Sequence, residues 1–499
     1  MQISNSIAWA HLQLKGGWRN ILTTSVTYFV ILLVVIFASV RLADPTPPAQ
    51  VLGGWVFILM GLQIGTLVLF GCWAISAAIR KDVTSKIIES HRLMPVSGAD
   101  AVAGYILGPA SQAIAFSCVN LVLGLVLSRF SSFGGTQGWL YANLVLGVFA
   151  ACAWIVMVFL PLVLPVSSRL LIGLIWVIFV GYETIPALLP GVSFLFGPAL
   201  SGSVFDIITT GQVAEGQILS MLGQILVAVL CYVGAVRKYR RDDLLAWGPG
   251  VGLAVVAAYV VIQLAGLALW DVIKPWAWRT SRISFEVQLL IAATGALLIG
   301  LIPVHGAAWL HASWERRRAL NDPALNRRPI AVGVVVLIAA VIIAALPALA
   351  VPARWHVVSN APVVRGQPIS IHEPLTGPDV PLEAIVRTGL VAAAFLLSVS
   401  YLLRWLYRRE IRTRWLVVFF VLLTWAGPPM LDFMVEGMRT GFESDDVLTT
   451  RAGCSPLVAM VWLWTSSGLS TNPGIAVQWL IAGVMGAVYH FGGKKTAVR

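Results

Sequence analysis

Charge is scarce in this chain. Of its 499 residues only 11% are Asp, Glu, Lys or Arg, against 58% hydrophobic, and the mean hydropathy is +0.86. A soluble domain carries roughly a quarter charged residues, so the composition excludes a wholly soluble fold. Cysteine is scarce as well: there are five, of which Cys72, Cys118, Cys152 and Cys231 lie within apolar runs and Cys454 stands outside them. No pair has metal-ligand spacing and nothing supports a disulfide framework. A phosphate loop is missing. Gly493-Lys494 is followed by Lys495 where a Ser or Thr should hold magnesium, and Val488 stands where the leading glycine belongs. His305 and His311 are six apart and do not share a helix face as zinc ligands must. Asp445 and Asp446 sit with Glu436 and Glu443 in a polar loop, which solvation explains better than a carboxylate dyad. No catalytic, cofactor-binding or metal-binding residue is therefore assigned, and the chain is expected not to be an enzyme.

What is present is apolar sequence in long runs. A spanning helix needs about 20 apolar residues. Runs of that size lie near 21–41, 52–79, 101–127, 140–164, 168–189, 217–236, 249–270, 284–311, 330–350, 383–407, 415–435 and 473–491. The expected fold is all-α, a polytopic integral membrane protein of about twelve transmembrane helices. The first run exceeds the 7–15 residues of a signal-peptide core, so it is expected to be a retained span. Leu457 to Trp464 is too short to cross and suits an interfacial or re-entrant piece.

The basic excess orients the spans. The formal net charge is +12, but the positive residues fall in short loops and not in a patch interleaved with aromatics, so no nucleic-acid partner is expected. With both termini cytoplasmic, alternate loops collect 24 of the 34 Lys and Arg, including Arg237, Lys238, Arg240 and Arg241, and Arg316, Arg317 and Arg318. A lost or extra span would scramble that alternation. The expectation is a multi-pass protein of the cell (plasma or inner) membrane.

The run RKYRRDD, Arg237 to Asp243, marks a midpoint. It divides the chain into a six-helix membrane domain, 1–243, and a second six-helix domain of unassigned role, 244–499. Basic inner loops follow the second and eighth spans, but the halves show no residue-level identity, so ordinary positive-inside loops suffice to explain them. Residues 1–20 suit an amphipathic helix in the inner interface. The outer stretch from Pro186 to Gly216 has no Lys or Arg and is broken by Pro190 and Pro198, as if it dips into the membrane and returns. Glu183, just before it, is the best candidate for a polar residue on a substrate path, with Pro186 and Pro190 shaping the re-entrant region. Asp432 is expected at the interface. The outer loop 351–381 holds six prolines and is expected to run extended.

One inner segment stands out: RKDVTSKIIESHRLMPVS, Arg80 to Ser97. As a helix it would place Ile79, Val83, Ile87 and Met94 near one face and Arg80, Lys81, Glu89 and Arg92 away from it. Pro95 should end that helix, because the residue before a proline is pushed out of the α region. The run Ile87 to Pro109 resembles the first cytoplasmic loop of permeases of the type-2 ABC transporter (ABC exporter) superfamily. The residues that carry the resemblance are Glu89, Leu93, Pro95, Val96, Ser97, Val102 and Gly104. Lys86-Ile87 and Tyr105 depart from the family pattern of Gly-Thr ahead of the acid and a basic residue after the glycine. The resemblance covers about 25 residues directly and agrees with the layout of 1–243. It implies a permease subunit energised by a separate ATP-binding cassette ATPase that docks on 80–97, working as one chain or as a homo- or heterodimer. This chain would bind no cofactor, and ATP would be used by the partner. Arg80, Lys81, Glu89, Arg92 and Pro95 would then be the coupling residues. The rival readings are a twelve-helix secondary transporter, which usually carries ionisable residues near the midplane, and a membrane-embedded transferase, which needs acids in a first outer loop that here holds only Asp44.

Overall fold

The computed structural model describes residues 5–42, 47–130, 135–163, 201–213, 215–241, 245–268, 285–319, 329–349, 382–408, 414–440, 452–465 and 472–491. Among these residues there is no strand. Among the described residues eight helical stretches are long and apolar enough to cross a membrane: Gly17–Leu42, Pro48–Thr84, Gly98–Ser128, Gly135–Val163, Ser220–Arg240, Ala292–Arg316, Leu382–Arg408 and Gly474–Phe491. Three of the twelve expected spans appear as shorter apolar helices, Pro249–Leu264, Val332–Ile343 and Leu416–Asp432. The expected span 168–189 lies outside the described residues, with Glu183, Pro186, Pro190 and the Pro-rich loop 351–381.

The chain separates into two compact units. Among the described residues one runs up to Ala246 and the other begins at Trp247. The first contains α1 (Ser6–Leu14), α2 (Gly17–Leu42), α3 (Pro48–Ile64), α4 (Gly71–Thr84), α5 (Ile87–Leu93), α6 (Gly98–Ser128), α7 (Gly135–Val163), α8 (Ser201–Thr210) and α9 (Glu215–Arg240). The second contains α10 (Pro249–Ala268), α11 (Phe285–Ala319), α12 (Val332–Ile343), α13 (Leu382–Arg408), α14 (Arg414–Thr440), α15 (Pro456–Thr465) and α16 (Asn472–Phe491).

The same packing scheme recurs inside each unit. In the first, α2 packs on α3 and α6, the α3–α4 helix on α6, α7 and α8, and α7 on α6, α8 and α9. In the second, α10 packs on α11 and α12, α11 on α12, α13 and α15, and α13 on α12, α15 and α16. Six helices of each unit correspond in chain order; α14, packed on α13 and α15, has no counterpart among the described residues of the first unit, and α9 also packs on α6. The short α8 and α15 correspond, and neither is long enough to cross about 30 Å of hydrocarbon. Helix α8 lies tight on α7: an added Cβ at Gly138 would fall 2.8 Å from the carbonyl oxygens of Ile207 and Ile208. Among the described residues, α1 and α5 have no counterpart in the second unit.

The second span is one helix with a π turn inside it. Between α3 and α4, residues Gly65–Phe70 widen into a π-helix, and the Gly71 N–H reaches back five residues to the Thr66 carbonyl. Such turns occur as single insertions in α-helices. Trp154 of α7 seals this one. Its indole N–H donates to the Leu67 carbonyl at 2.8 Å, and Gly71 leaves the room, since a Cβ there would lie 2.5 Å from the indole nitrogen. Trp154→Phe is expected to cost about 1 kcal/mol, the net worth of a hydrogen bond. Thermal unfolding in detergent, with exposed Trp73→Phe as the control, measures it.

Candidate functional site

The segment 80–97 is two short helical pieces and not the single helix expected. Helix α4 ends at Thr84, Ser85 and Lys86 form a turn with Lys86 in the left-handed region at φ 59°, and α5 begins at Ile87. The cause is local. The Thr84 hydroxyl returns to the Arg80 carbonyl at 2.9 Å and the Ser85 hydroxyl to the Lys81 carbonyl at 2.7 Å, bonds that compete with continued helix. The turn resets the helical phase and overturns the expected apolar face. Ile79 is buried, but Val83, Ile87 and Met94 are exposed, and Ile88 faces inward instead. The stop behaves as expected: Met94, just before Pro95, is extended at φ −70° and ψ 148°. Ser97 then caps α6, its hydroxyl oxygen accepting from the Asp100 N–H at 3.0 Å.

The five coupling candidates separate by environment. Lys81, Glu89 and Pro95 are exposed and Arg80 is half-buried. Arg92, expected to point away from the protein, does not. Its Nε donates to the Tyr239 carbonyl at 2.6 Å and its Nη2 to the Lys238 carbonyl at 3.2 Å. Those carbonyls belong to the last turn of α9, where helix carbonyls lack internal partners and a cation is favoured. Arg92 therefore ties α5 to the end of α9. With Leu93 almost fully exposed beside Met94 and Pro95, α5 presents a mixed apolar and charged tip.

Beneath that tip lies a buried group of ionisable residues that the sequence reading did not single out. Asp82 is 6% exposed and accepts from the Tyr105 hydroxyl at 2.8 Å. His91 Nδ1 lies 3.0 Å from that hydroxyl and 3.9 Å from the carboxylate. Since the hydroxyl proton is directed at Asp82, His91 Nδ1 is the donor in its contact with Tyr105. His11 Nε2 stands 3.6 Å from Asp82, and the Tyr239 ring packs edge-on to Tyr105. Burial holds the His11 imidazole below its ordinary proton affinity. Asp82 pulls the other way to a smaller extent, and His91, Lys15 and Lys81 add to the lowering. A signal was legible: Asp82 continues the buried stripe of Ile75 and Ile79 at helical spacing, and an acid on such a stripe needs partners.

Helix α1, expected in the membrane interface, is seated on α6. Asn5 caps it by accepting from the N–H groups of Ile7 and Ala8, and donates to the Asp100 carbonyl. Ile7, Ala8, His11 and Leu12 are buried, while Trp9 and Leu14 face outward. The seat is made by Gly104 and Gly108. Added Cβ atoms there would fall 2.5 Å from Asn5 Oδ1 and 2.8 Å from His11 Cβ. The Lys15 ammonium donates to the Pro109 carbonyl.

The second unit holds a smaller ionic group. Arg404 donates to the Tyr489 hydroxyl at 2.7 Å and lies 3.7 Å from Glu315, which is 3.2 Å from His311. Asp432, expected at the interface, is 1% exposed and accepts from the Ala452 N–H at 3.2 Å. That burial has a tertiary cause: the short turn Ala452–Cys454 packs over the helix and supplies the donor. Among the described residues no group of three His, Cys, Asp or Glu side chains is placed to hold a metal ion. No protein-family model, curated protein or solved structure matches this chain.

Proposed function

We propose that the chain is the membrane-spanning subunit of an ATP-driven exporter of the cell membrane, and that α5 is where a separate ATP-binding cassette ATPase docks. The observation that carries this is a short exposed helix held firmly at its base. Arg92 fastens it to α9 and the His91–Tyr105–Asp82 chain ties it to α6 and α4, while Lys81, Lys86, Glu89, Leu93, Met94 and Pro95 remain free to touch a partner. A membrane protein without a nucleotide site receives mechanical work only through such a stiff contact, and a mixed apolar and charged tip suits an interface that forms and releases. The matched packing scheme of the two units supports two permease-like bundles in one chain, twelve spans in all with both termini in the cytoplasm. Arg92 and Pro95 thereby act by positioning, and the docking contacts fall to their neighbours.

The test is capture of ATP-binding cassette ATPases by the tagged chain from its own native membranes. Leu93→Asp combined with Met94→Asp is expected to weaken capture at least tenfold, the effect of losing about 1.4 kcal/mol at an interface centre. The variant should keep the wild-type elution profile and melting temperature, because both side chains are exposed. Undiminished capture after residues 87–95 are replaced by a Gly-Ser linker would remove the assignment.

A further inference from the structure

We propose that α1 is an acid-released latch on the inner end of the first unit, with His11 as its proton-sensitive residue. The latch stands on its own geometry; only its consequence, a looser hold on α5 when it opens, rests on the docking reading above.

His11 is placed where a proton matters. It is 7% exposed, its Nε2 has no hydrogen-bond partner, and Asp82 Oδ2 is 3.6 Å away, beyond a hydrogen bond. The ionisable groups around it come from every side. Asp82 and Lys81 belong to α4, His91 to α5 and Lys15 follows α1 itself; Tyr105 of α6 packs on the ring, and Arg92 of α5 and Tyr239 of α9 bear on Tyr105. The His11 ring lies 5.2 Å from that of Tyr105, the residue whose hydroxyl joins Asp82 to His91. A displacement of α1 is thus felt at the hub that holds α5.

The seat is built to separate. Helix α1 is only nine residues long, and an isolated helix of that length is marginal in water. It rests on the bare backbone of Gly104 and Gly108, and its hydrogen bonds to α6 fall at its two ends, from Asn5 to the Asp100 carbonyl and from Lys15 to the Pro109 carbonyl. Its outer face carries Trp9 and Leu14, which a membrane interface would accept once the helix lifts.

The direction follows from linkage. Burial is the largest influence on His11 and lowers its affinity for a proton, with Asp82 opposing it only in part. The seated state therefore binds the proton more weakly than the released state, in which the imidazole meets water. Acidification through the usual histidine range, about 6.5, favours release, and neutral pH favours the seat.

Hydrogen exchange on the full chain in nanodiscs of zwitterionic lipid tests this, at pH 7.5 and 5.5 with intrinsic rates corrected. Protection over residues 6–14 and 87–93 should fall several-fold at the lower pH while α7 stays unchanged. His11→Phe keeps a ring on the seat and cannot take a proton, so it should hold its protection at pH 5.5. Should that variant fold poorly, His11→Gln serves the same purpose. His91→Gln should keep an acid response over residues 6–14, but a smaller one, because His91 no longer adds to the lowering of the His11 proton affinity. Equal wild-type protection at both pH values, or an acid response that survives in the His11 variants and vanishes in His91→Gln, overturns the latch. Capture of ATP-binding cassette ATPases from native membranes, measured at the same two pH values, separates the two ideas: no capture at either would sink the docking reading and leave the exchange result standing.

Discussion

Trp139→Ala is expected to lower the stability of the first unit by about 3–5 kcal/mol, the range for removing a large buried aromatic. Trp139 is fully buried on α7, and its indole N–H donates to the Leu121 carbonyl of α6 at 3.1 Å. Its ring lies against the backbone of Gly124, where an added Cβ would fall 2.1 Å from the ring carbon Cζ2. Ring and glycine form one joint between the third and fourth spans. Gly124→Ala alone should therefore be harmful by overpacking, about 1–3 kcal/mol, because the indole cannot swing away without losing its carbonyl. In the Trp139→Ala background the same alanine should be tolerated or should help by filling space. Apparent melting temperatures of the four proteins in one detergent form the cycle. Simple additivity would mean the two residues do not share the joint, since contacting residues couple and distant ones do not.

Tyr105→Phe is expected to cost about 1.5–3 kcal/mol, the range for a hydrogen bond to a charged group. It leaves the Asp82 carboxylate buried without its short donor, and His91 loses its acceptor. Asp82→Asn should be milder, because the amide oxygen still accepts from Tyr105 and no charge remains to be stranded. Asp82→Leu with Tyr105→Phe should recover much of the single-variant loss, as buried ionic groups replaced together by apolar ones often do. Thermal unfolding at pH 7.5 ranks the three. If Tyr105→Phe proved neutral, the carboxylate would have to draw its stability from elsewhere, and the hub beneath α5 would lose its centre.

The α1 seat and the Asp82 cluster differ in how far they can be read from the chain. Gly104 was visible as part of a family-like pattern, yet its reason emerged only when α1 was found lying across it with Asn5 and Ile7 at contact distance. Tyr105, a departure from that pattern, proves to be the residue on which the cluster turns. Past Lys86 the expected apolar face of 79–94 failed because a serine-lysine turn shifts the helical phase, and with it Arg92 moved from the outside to the end of α9; Val83, ahead of the turn, is exposed because Asp82 holds the inward position there.

Composition and pattern by themselves determined the helical class, the membrane environment, the position of most long helices and the proline stop at Pro95. Each of these is set by neighbours in sequence or by the length an apolar run needs to cross hydrocarbon. Only the tertiary structure decided which face of each helix is buried, what Arg92 and Asp82 touch, and that the two units share one packing scheme. His11, Asp82, His91 and Tyr105 lie as much as 94 positions apart in the chain. Their meeting depends on how α1, α4, α5 and α6 pack, and side-chain periodicity along one helix carries no information about its neighbours.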